Sequence, residues 1–278
     1  MKLAASTLGC PHWDLPTVLA RYREYGYEGI DFRGLGGNLR VWEWPEFGAE
    51  AAAWAARIRD AGLEVSCFSS SARLVWRDEG DRGQALDEVR RTLDLCRAFA
   101  SPMVRVFGGG LGGLTRDEAL ARAREALAQW LAVTAGTGVR LAIESHDAWT
   151  ASADLLALVA DTDPRQAGVC WDVKHTYWAA HETPAFTWQR LKDRIINTHW
   201  KDARRDHAAG KDRLCLVGEG VLPLADCMDL LTSGGYGGYY TLEWEKMWHP
   251  YLAEAEVAFP AFVRHMRHLA ARLGPSAA

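Results

Sequence analysis

The chain of 278 residues lacks several features that mark whole classes of protein. It has no run of about 18 apolar residues, the length at which a helix spans a membrane, and Met1-Lys2-Leu3 opens no signal peptide. Lysine and arginine form no basic run, and the net charge is −4. A duplex nucleic-acid binder needs a positive stripe to neutralise phosphates. We therefore expect a cytoplasmic protein with no membrane or nucleic-acid partner.

Two sequence motifs are also absent. The six cysteines are scattered and form no CxxC pair, which indicates reduced core residues instead of a disulfide framework or a zinc knuckle. The first apolar run is followed by Leu8-Gly9-Cys10-Pro11-His12, which is not the GxGxxG turn of a dinucleotide-binding open sheet. A doubly wound open sheet is therefore the less favoured α/β architecture.

Short apolar runs alternate with longer helical patterns along the whole chain, and 49% of the residues are hydrophobic. Eight of these runs are predicted strands, at residues 2–7, 28–33, 63–69, 103–107, 139–144, 168–172, 194–199 and 238–243. We expect a long polar loop at 201–220 and a closing helix at 251–273. Eight strands with intervening helices and no linker predict one (β/α)8 TIM barrel domain over residues 1–278, with a disordered tail at 274–278.

Four of the predicted strands end in charged side chains: Glu144, Asp172, His199 and Glu243. Successive residues of a strand point to opposite sides of the sheet. If these four point into the barrel, residues two positions further along do so as well, namely His146, Lys174, Lys201 and Glu245. The same alternation turns Trp171, Ile196, Trp200 and Trp244 outward, towards the helices. Barrel active sites lie at this carboxyl end of the strands.

Three carboxylates and an imidazole in one barrel mouth would repel each other unless a cation neutralised them. This oxygen-rich set favours one Mn²⁺ or Mg²⁺ ion, and Co²⁺ or Zn²⁺ also fits. The alternative is a purely structural salt-bridge cluster with Arg105, Lys174 and Lys201. The side chain of Glu245 could lie either behind the ligands or on the rim of the barrel.

The combination of Asp172-x-x-His175, His199-x-Lys201-Asp202, Gly218-Glu219-Gly220 and Glu243 resembles the xylose-isomerase-like superfamily of sugar isomerases and epimerases. The resemblance extends from Glu28 to Glu245. It implies a single barrel with one divalent metal ion. The ligands that it implies here are Glu144, Asp172, His199 and Glu243.

The resemblance also implies an activity. A sugar isomerase or epimerase of this kind abstracts a proton next to a carbonyl through a metal-stabilised enediolate. Glu144 and Glu243 would be the acid/base pair, acting on a small-molecule sugar or polyol-ketone. His175 and Arg205 would bind the substrate's carbonyl or hydroxyl end. Lys201 would orient a hydroxyl or Asp202, and His146 would contact the substrate or lie just behind the ligands, unless both simply line a solvated rim.

Arg33 is predicted to point inward at the end of the second strand. It would bind a carboxylate or phosphate, or else pair with Asp31 or Glu64. Loop tryptophans that follow strands would line a pocket for a sugar-like ring; these are Trp13, Trp42, Trp44, Trp76, Trp149, Trp178 and Trp248. Exposed aromatic residues on the rim are compatible with a homodimer.

Other functions share this fold. Inosose-type dehydratases use the same ligands, and a non-catalytic sugar-binding protein is a further alternative. Ketohexose 3-epimerases follow their first metal Glu with Asn-Arg-x-Glu, whereas Glu144 is followed by Ser-His-Asp-Ala-Trp-Thr, which argues against a free ketohexose. A related abasic-site endonuclease would need histidines after the third and fourth strands. Those strands end in Ser69-Ser70-Ser71 and Phe107-Gly108-Gly109.

Overall fold

The computed structural model describes residues 1–206 and 211–273, so the predicted tail at 274–278 lies outside the described residues. Eight strands form a closed parallel barrel: β1 (Lys2–Ser6), β2 (Gly29–Phe32), β3 (Glu64–Arg73), β4 (Met103–Phe107), β5 (Arg140–Glu144), β6 (Ala167–Asp172), β7 (Ile195–Trp200) and β10 (Tyr239–Leu242). Two further strands, β8 (Asp202–Asp206) and β9 (Lys211–Cys215), pair as a separate antiparallel ribbon. The predicted barrel fold is confirmed.

The connections between strands are mainly helical. The helices are α1 (Leu15–Tyr25), α2 (Ala51–Asp60), α3 (Glu79–Phe99), α4 (Arg116–Thr134), α5 (Ser152–Val159), α6 (Val173–Trp178), α7 (Pro184–Leu191), α8 (Leu224–Ser233) and α9 (Ala255–Leu273). Side-chain caps fix the first turn of several helices. Thr115 and Glu118 form a capping box at the start of α4, and Asp14 caps α1. In the described part of the chain, no helix is long and apolar enough to cross a membrane.

Most of the apolar core lies between the outer face of the barrel and the helices. Trp171, Trp200 and Trp244 are fully buried in this layer, as the alternation predicts. The barrel interior holds a much smaller apolar cluster of Cys67, Met103, Ala142 and Cys170. The side chains of this cluster are small or flexible and fill the lower part of the barrel interior. The polar groups lie in the upper part.

Strand β7 departs from simple alternation opposite β6. Val169 pairs with Ile195 and Cys170 pairs with Asn197, so Ile196 is an extra residue, a β-bulge. The Ile196 side chain therefore contacts the small interior cluster, and the prediction that it faces the helices is wrong. Gly168 makes room for it, because a Cβ at this position would lie 2.7 Å from Ile196 Cγ2 and 2.5 Å from the Arg194 carbonyl oxygen.

The predicted boundaries fail mainly after strands. Strand β3 continues to Arg73 instead of ending at Ser69, and the closing helix α9 begins at Ala255, later than predicted. Helix α6 starts directly after Asp172. The predicted polar loop at 201–220 contains the β8–β9 ribbon; its residues 207–210 lie outside the described residues.

Asp202 holds the end of this long connection. Its carboxylate accepts hydrogen bonds from the backbone N–H groups of Ala203, Gly218, Gly220 and Leu222. A Cβ at Gly220 would lie 1.9 Å from Asp202 Oδ1, so only glycine fits there. The Gly218-Glu219-Gly220 motif therefore has a structural explanation. The ammonium group of Lys201 forms its ion pairs with Asp172, Glu243 and Glu245 instead of Asp202.

Replacement of Gly168 by alanine is expected to destabilise the protein by about 1–3 kcal/mol, the usual cost of overpacking a close-packed interior. The added methyl group would meet backbone as well as the Ile196 side chain, so the strand itself must move. Urea denaturation measures the free energy of unfolding. Gly110→Ala is the matched control, because a Cβ there meets nothing within 4 Å; equal stabilities of the two variants would contradict the bulge packing.

Candidate metal centre and active site

The four predicted ligands converge at the carboxyl end of the barrel. Glu144, Asp172 and His199 lie on β5, β6 and β7, and Glu243 directly follows β10. All four are buried, and one ligand atom from each lies within 4.8 Å of the others. Among the described residues, this is the one group of three or more such side chains that is placed to share a metal ion. We call this group the metal cup.

The imidazole of His199 is fixed from both sides. Its Nδ1 atom lies 2.9 Å from Glu144 Oε1 and 3.4 Å from Glu243 Oε1. Its Nε2 atom lies 3.1 Å from Asp31 Oδ2, and Asp31 is completely buried. This carboxylate–histidine contact leaves Nδ1 as the nitrogen that faces the cup. Sequence reasoning missed Asp31 as a functional residue, although it has the same inward parity as Arg33.

The two carboxylate oxygen atoms of Asp172 have different partners. Oδ1 accepts hydrogen bonds from the backbone N–H groups of Lys174 and His175, and so caps helix α6. Oδ2 faces the cup, 2.9 Å from Lys201 Nζ and 3.8 Å from His175 Nε2. The end of β6 and the start of α6 are thus fixed by one side chain.

Two permanent cations lie against the cup. Lys201 contacts Asp172, Glu243 and, at 2.6 Å, Glu245. Arg105 Nε lies 3.2 Å from Glu144 Oε2. Glu245 pairs with Lys201 and is also partly exposed in the wall of a cavity at the barrel mouth, so it has features of both positions that the sequence left open.

Lys174 is not an inward charge of the cup. Its Nζ atom lies 2.6 Å from Asp212 Oδ2, on the β8–β9 ribbon. The prediction fails because Lys174 belongs to helix α6, where strand alternation no longer applies. Of the three cations in the proposed salt-bridge alternative, only Arg105 and Lys201 are present at the cup.

The donor set fits a divalent cation. The barrel mouth buries the carboxylates of Asp31, Glu144, Asp172 and Glu243, and that of Glu245 is partly buried beside them. The permanent cations at this mouth are Arg33, Arg105 and Lys201. Glu144 Oε2 and Asp172 Oδ2 are buried, and their cationic partners are Arg105 Nε at 3.2 Å and Lys201 Nζ at 2.9 Å. A bound divalent cation would relieve the repulsion in a site where carboxylates outnumber the permanent cations.

The pKa values in the cup follow this charge balance. Burial and Glu243 oppose ionisation of Glu144, but His199 and Arg105 outweigh them and lower its pKa. Burial likewise opposes ionisation of Glu243, yet Lys201 and His199 hold its pKa well below the usual range. Burial raises the pKa of Asp172 despite Lys201. The two glutamates are therefore ionised at neutral pH and available as ligands or proton acceptors.

A cavity of about 600 Å³ opens beside the cup. His146 and His175 form part of its wall, with ring centroids 4.6 Å apart. Burial opposes protonation of His146, but its hydrogen bond with Asp147 raises the pKa above the usual value. Burial and Lys201 lower the pKa of His175 well below its usual value. The structure thus brings His146, His175 and Lys201 together with the cup, and their roles with substrate remain predictions.

Other predicted contacts lie elsewhere. Arg205 is exposed and stacks on Trp178, and both residues line a different cavity. Its neighbour on β8, Asp206, lines the cavity beside the cup instead, because successive residues of a strand point to opposite sides. None of the seven loop tryptophans lines the cavity beside the cup, whose described wall includes Tyr251 and Leu214 instead. Trp149 is fully buried under Gly108, where a Cβ would lie 2.2 Å from the indole.

Arg33 is inward-facing, as predicted, and only 8% exposed. It makes neither of the two ion pairs that the sequence left open. Asp31 contacts His199, and Glu64 pairs with Lys2.

The class of this protein is defined by a closed parallel barrel with a buried Glu-Asp-His-Glu group at its carboxyl end, a group that could hold a metal ion. Residues 19–268 match the xylose isomerase-like TIM barrel family, so the chain belongs to that family. A comparison with functionally curated proteins gave no significant match.

Three solved structures illustrate the shared fold. The probable 3-DHS dehydratase AsbF of Bacillus anthracis is 18% identical over 96% of this chain and 99% of its own, with a TM-score of 0.76. The IolI protein with a bound zinc atom is 13% identical, with 98% of each chain covered and a TM-score of 0.79. The 3-keto-D-glucoside 4-epimerase YcjR of E. coli is 16% identical over 98% of this chain and 99% of its own, with a TM-score of 0.74.

Replacement of Glu245 by glutamine is expected to give a pH-dependent loss of stability, measured with a chelator present. Burial raises the pKa of Glu245, but Lys201 and His249 lower it to about 2. The pKa in the unfolded chain is about 4.3, so the ionised form stabilises the fold above that pH and this contribution is lost as the pH falls towards about 2.

At neutral pH, Glu245→Gln should therefore be less stable than the parent by up to about 3 kcal/mol, and the difference should shrink below about pH 4.3. Urea denaturation from pH 7 downward measures it. Glu24→Gln, which breaks an exposed pair with Arg21, is the control and should change stability by about 0.5 kcal/mol or less. A difference that did not vary with pH would contradict the pairing.

Proposed function

We propose that this protein is a divalent-metal-dependent enzyme that isomerises or epimerises a small sugar or polyol-ketone. It does so by moving a proton at the carbon next to a carbonyl. The observation that carries the proposal is the convergence of two ionised glutamates, Glu144 and Glu243, in a buried cup with Asp172 and His199. The 3-keto-D-glucoside 4-epimerase, which has the same fold, supports this reading.

Glu144, Asp172, His199 and Glu243 would hold the ion. Mn²⁺ or Mg²⁺ suits three carboxylates and one imidazole best, and Zn²⁺ is bound in the IolI protein of the same fold. When bound, a divalent ion supplies positive charge that polarises the carbonyl and acidifies the adjacent C–H bond. Asp31 fixes the imidazole of His199 through Nε2, which leaves Nδ1 for the ion.

The side chains of the cup perform the proton transfer. One of the two glutamate carboxylates takes the proton from the carbon, and the C–H electron pair forms the double bond of the substrate's enediolate. For epimerisation, the other glutamate first takes a proton from solvent and then delivers it to the opposite face of the same carbon. For isomerisation, a proton is delivered to the neighbouring carbon, whose hydroxyl gives its own proton to the former carbonyl oxygen. Lys201, which contacts Glu243, places a permanent positive charge beside the reacting atoms and keeps that carboxylate ionised.

A dehydration on the same cup is the second candidate, favoured by one observation. His146, whose pKa is raised by Asp147, lies in the wall of the cavity beside the cup as a potential proton donor. The same proton abstraction would then be followed by cleavage of a C–O bond one carbon further, and the departing hydroxyl would take a proton from His146 and leave as water. The probable 3-DHS dehydratase has the same fold.

Metal analysis tests the cup. The purified protein is expected to carry about one divalent ion per chain, and the double variant Glu144→Gln/Asp172→Asn to carry none. Asp31→Asn should keep the stoichiometry but weaken affinity by about 10- to 100-fold, the usual effect of losing a carboxylate behind a ligating histidine. Asp161→Asn, on the outer surface, is the control. Protein that binds no ion in any form would refute the metal cup.

Solvent exchange tests the chemistry. Incubation with keto-sugars, inososes or hydroxy-keto acids in deuterated water should place deuterium on a carbon next to the carbonyl, detected by NMR and mass spectrometry. A dehydratase would instead give a product lighter by one water. His146→Gln should then slow water loss by about 10²- to 10⁴-fold, the usual contribution of a general acid, while exchange continues. If no compound exchanges, the proton-transfer reading is wrong.

A further inference from the structure

Three guanidinium groups surround the ring of Phe107, beside the cup. The central carbon of Arg105 lies 4.0 Å from the ring centroid, and those of Arg33 and Arg73 each lie 5.9 Å from it. Arg105 forms an ion pair with Glu144 and donates a hydrogen bond to the Ser70 carbonyl oxygen. Among the described residues, Arg33 and Arg73 have no carboxylate within ion-pair distance.

Arg33 is the unusual member of this group, because it is only 8% exposed and its Nη1 atom is buried without a hydrogen-bond partner in the described structure. Burial and the neighbouring Arg105 lower its pKa to about 10, so the group is still charged at neutral pH. A buried charged donor with no acceptor costs considerable free energy unless a ligand provides one.

The nearby carboxylates are already engaged. Asp31 contacts His199, Glu144 contacts Arg105 and His199, and Glu88 accepts a hydrogen bond from the backbone N–H of Ser71. Arg33 is therefore held beside the cup with one buried donor, Nη1, that no group of the described structure satisfies.

Phe107 connects this arginine group to the proposed reaction site. Its ring lies 4.8 Å from that of His146, which belongs to the cavity beside the cup. Arg73, on the other side, lines a second cavity of about 510 Å³. A substrate with its carbonyl at the cup would thus have His146 on one flank and the arginine group on the other.

We infer that the substrate carries an anionic group, a carboxylate or a phosphate, which binds Arg33 and Arg73 beside Phe107. The inference rests on the proposed function, because it places the reacting carbonyl at the cup. A guanidinium fork matches the paired oxygens of either anion and donates two parallel hydrogen bonds. The anion satisfies Arg33 Nη1 and orients the substrate, so neutral sugars lack the contact that positions their reacting carbon.

Calorimetric binding to the metal-loaded enzyme tests this inference without requiring turnover. The probes are D-gluconate for a carboxylate, D-fructose 6-phosphate for a phosphate and neutral D-fructose. Arg33→Met should weaken binding of at least one anionic probe by about 10- to 100-fold, the range for charge-assisted hydrogen bonds, and change D-fructose binding by less than about twofold. The anionic probe that loses more affinity identifies the natural group.

Two further variants sharpen the result. Arg33→Lys keeps the charge but loses the fork, so its anion affinity should fall between those of the parent and Arg33→Met. Arg57→Met is the matched control, because Arg57 also covers an aromatic ring, that of Trp54, on helix α2 away from the cup. If Arg33→Met does not fold, Arg73→Met serves, since Arg73 is exposed; it should weaken anion binding by about 3- to 10-fold.

The inference is overturned if the parent enzyme binds neither anion, if the arginine variants bind them as the parent does, or if D-fructose binding falls equally. Failure of the proposed function looks different. In that case arginine-dependent anion binding would persist, while no compound would exchange deuterium.

Discussion

The central constraint on this structure is the burial of many carboxylates in one barrel mouth. Asp31, Glu144, Asp172 and Glu243 are at most 5% exposed, and the permanent cations buried beside them are Arg33, Arg105 and Lys201. Ionised groups removed from water cost several kcal/mol each unless they are paired. The contacts of Lys201 and Arg105, the orientation of the His199 ring and the small side chains of the lower barrel all follow from accommodating these groups.

The sequence predicts this arrangement well wherever the strand ladder is regular. Side chains of a paired strand alternate strictly, so a charged residue at a strand end fixes the direction of its neighbours. That rule identifies Glu144, Asp172 and His199 as inward and Trp171 and Trp200 as outward, and the structure agrees. The barrel fold follows from the same regularity, because eight similar strand–helix units allow few other closures.

The same rule fails where the ladder is interrupted. Ile196 sits in a bulge, Lys174 lies one residue inside a helix, and Arg205 is on a ribbon that leaves the barrel. The bulge and the ribbon have no clear local signal, since each depends on partner strands. The start of α6 is set locally by the Asp172 cap, which strand alternation does not take into account. Asp31 shows the opposite case: a lone carboxylate in an apolar strand is visible, but its partner His199 is 168 residues away.

Asp172 has a consequence for how the barrel can vary. Its two oxygens serve the cup and the first turn of α6, so the connection between β6 and α6 contains no loop at all. One residue inserted at this junction would both rotate His175 away from the cup and remove the cap of α6. Changes of substrate among proteins built this way must therefore come from the longer connections, such as the β8–β9 ribbon or the segments after β2 and β3, while this corner of the barrel stays rigid.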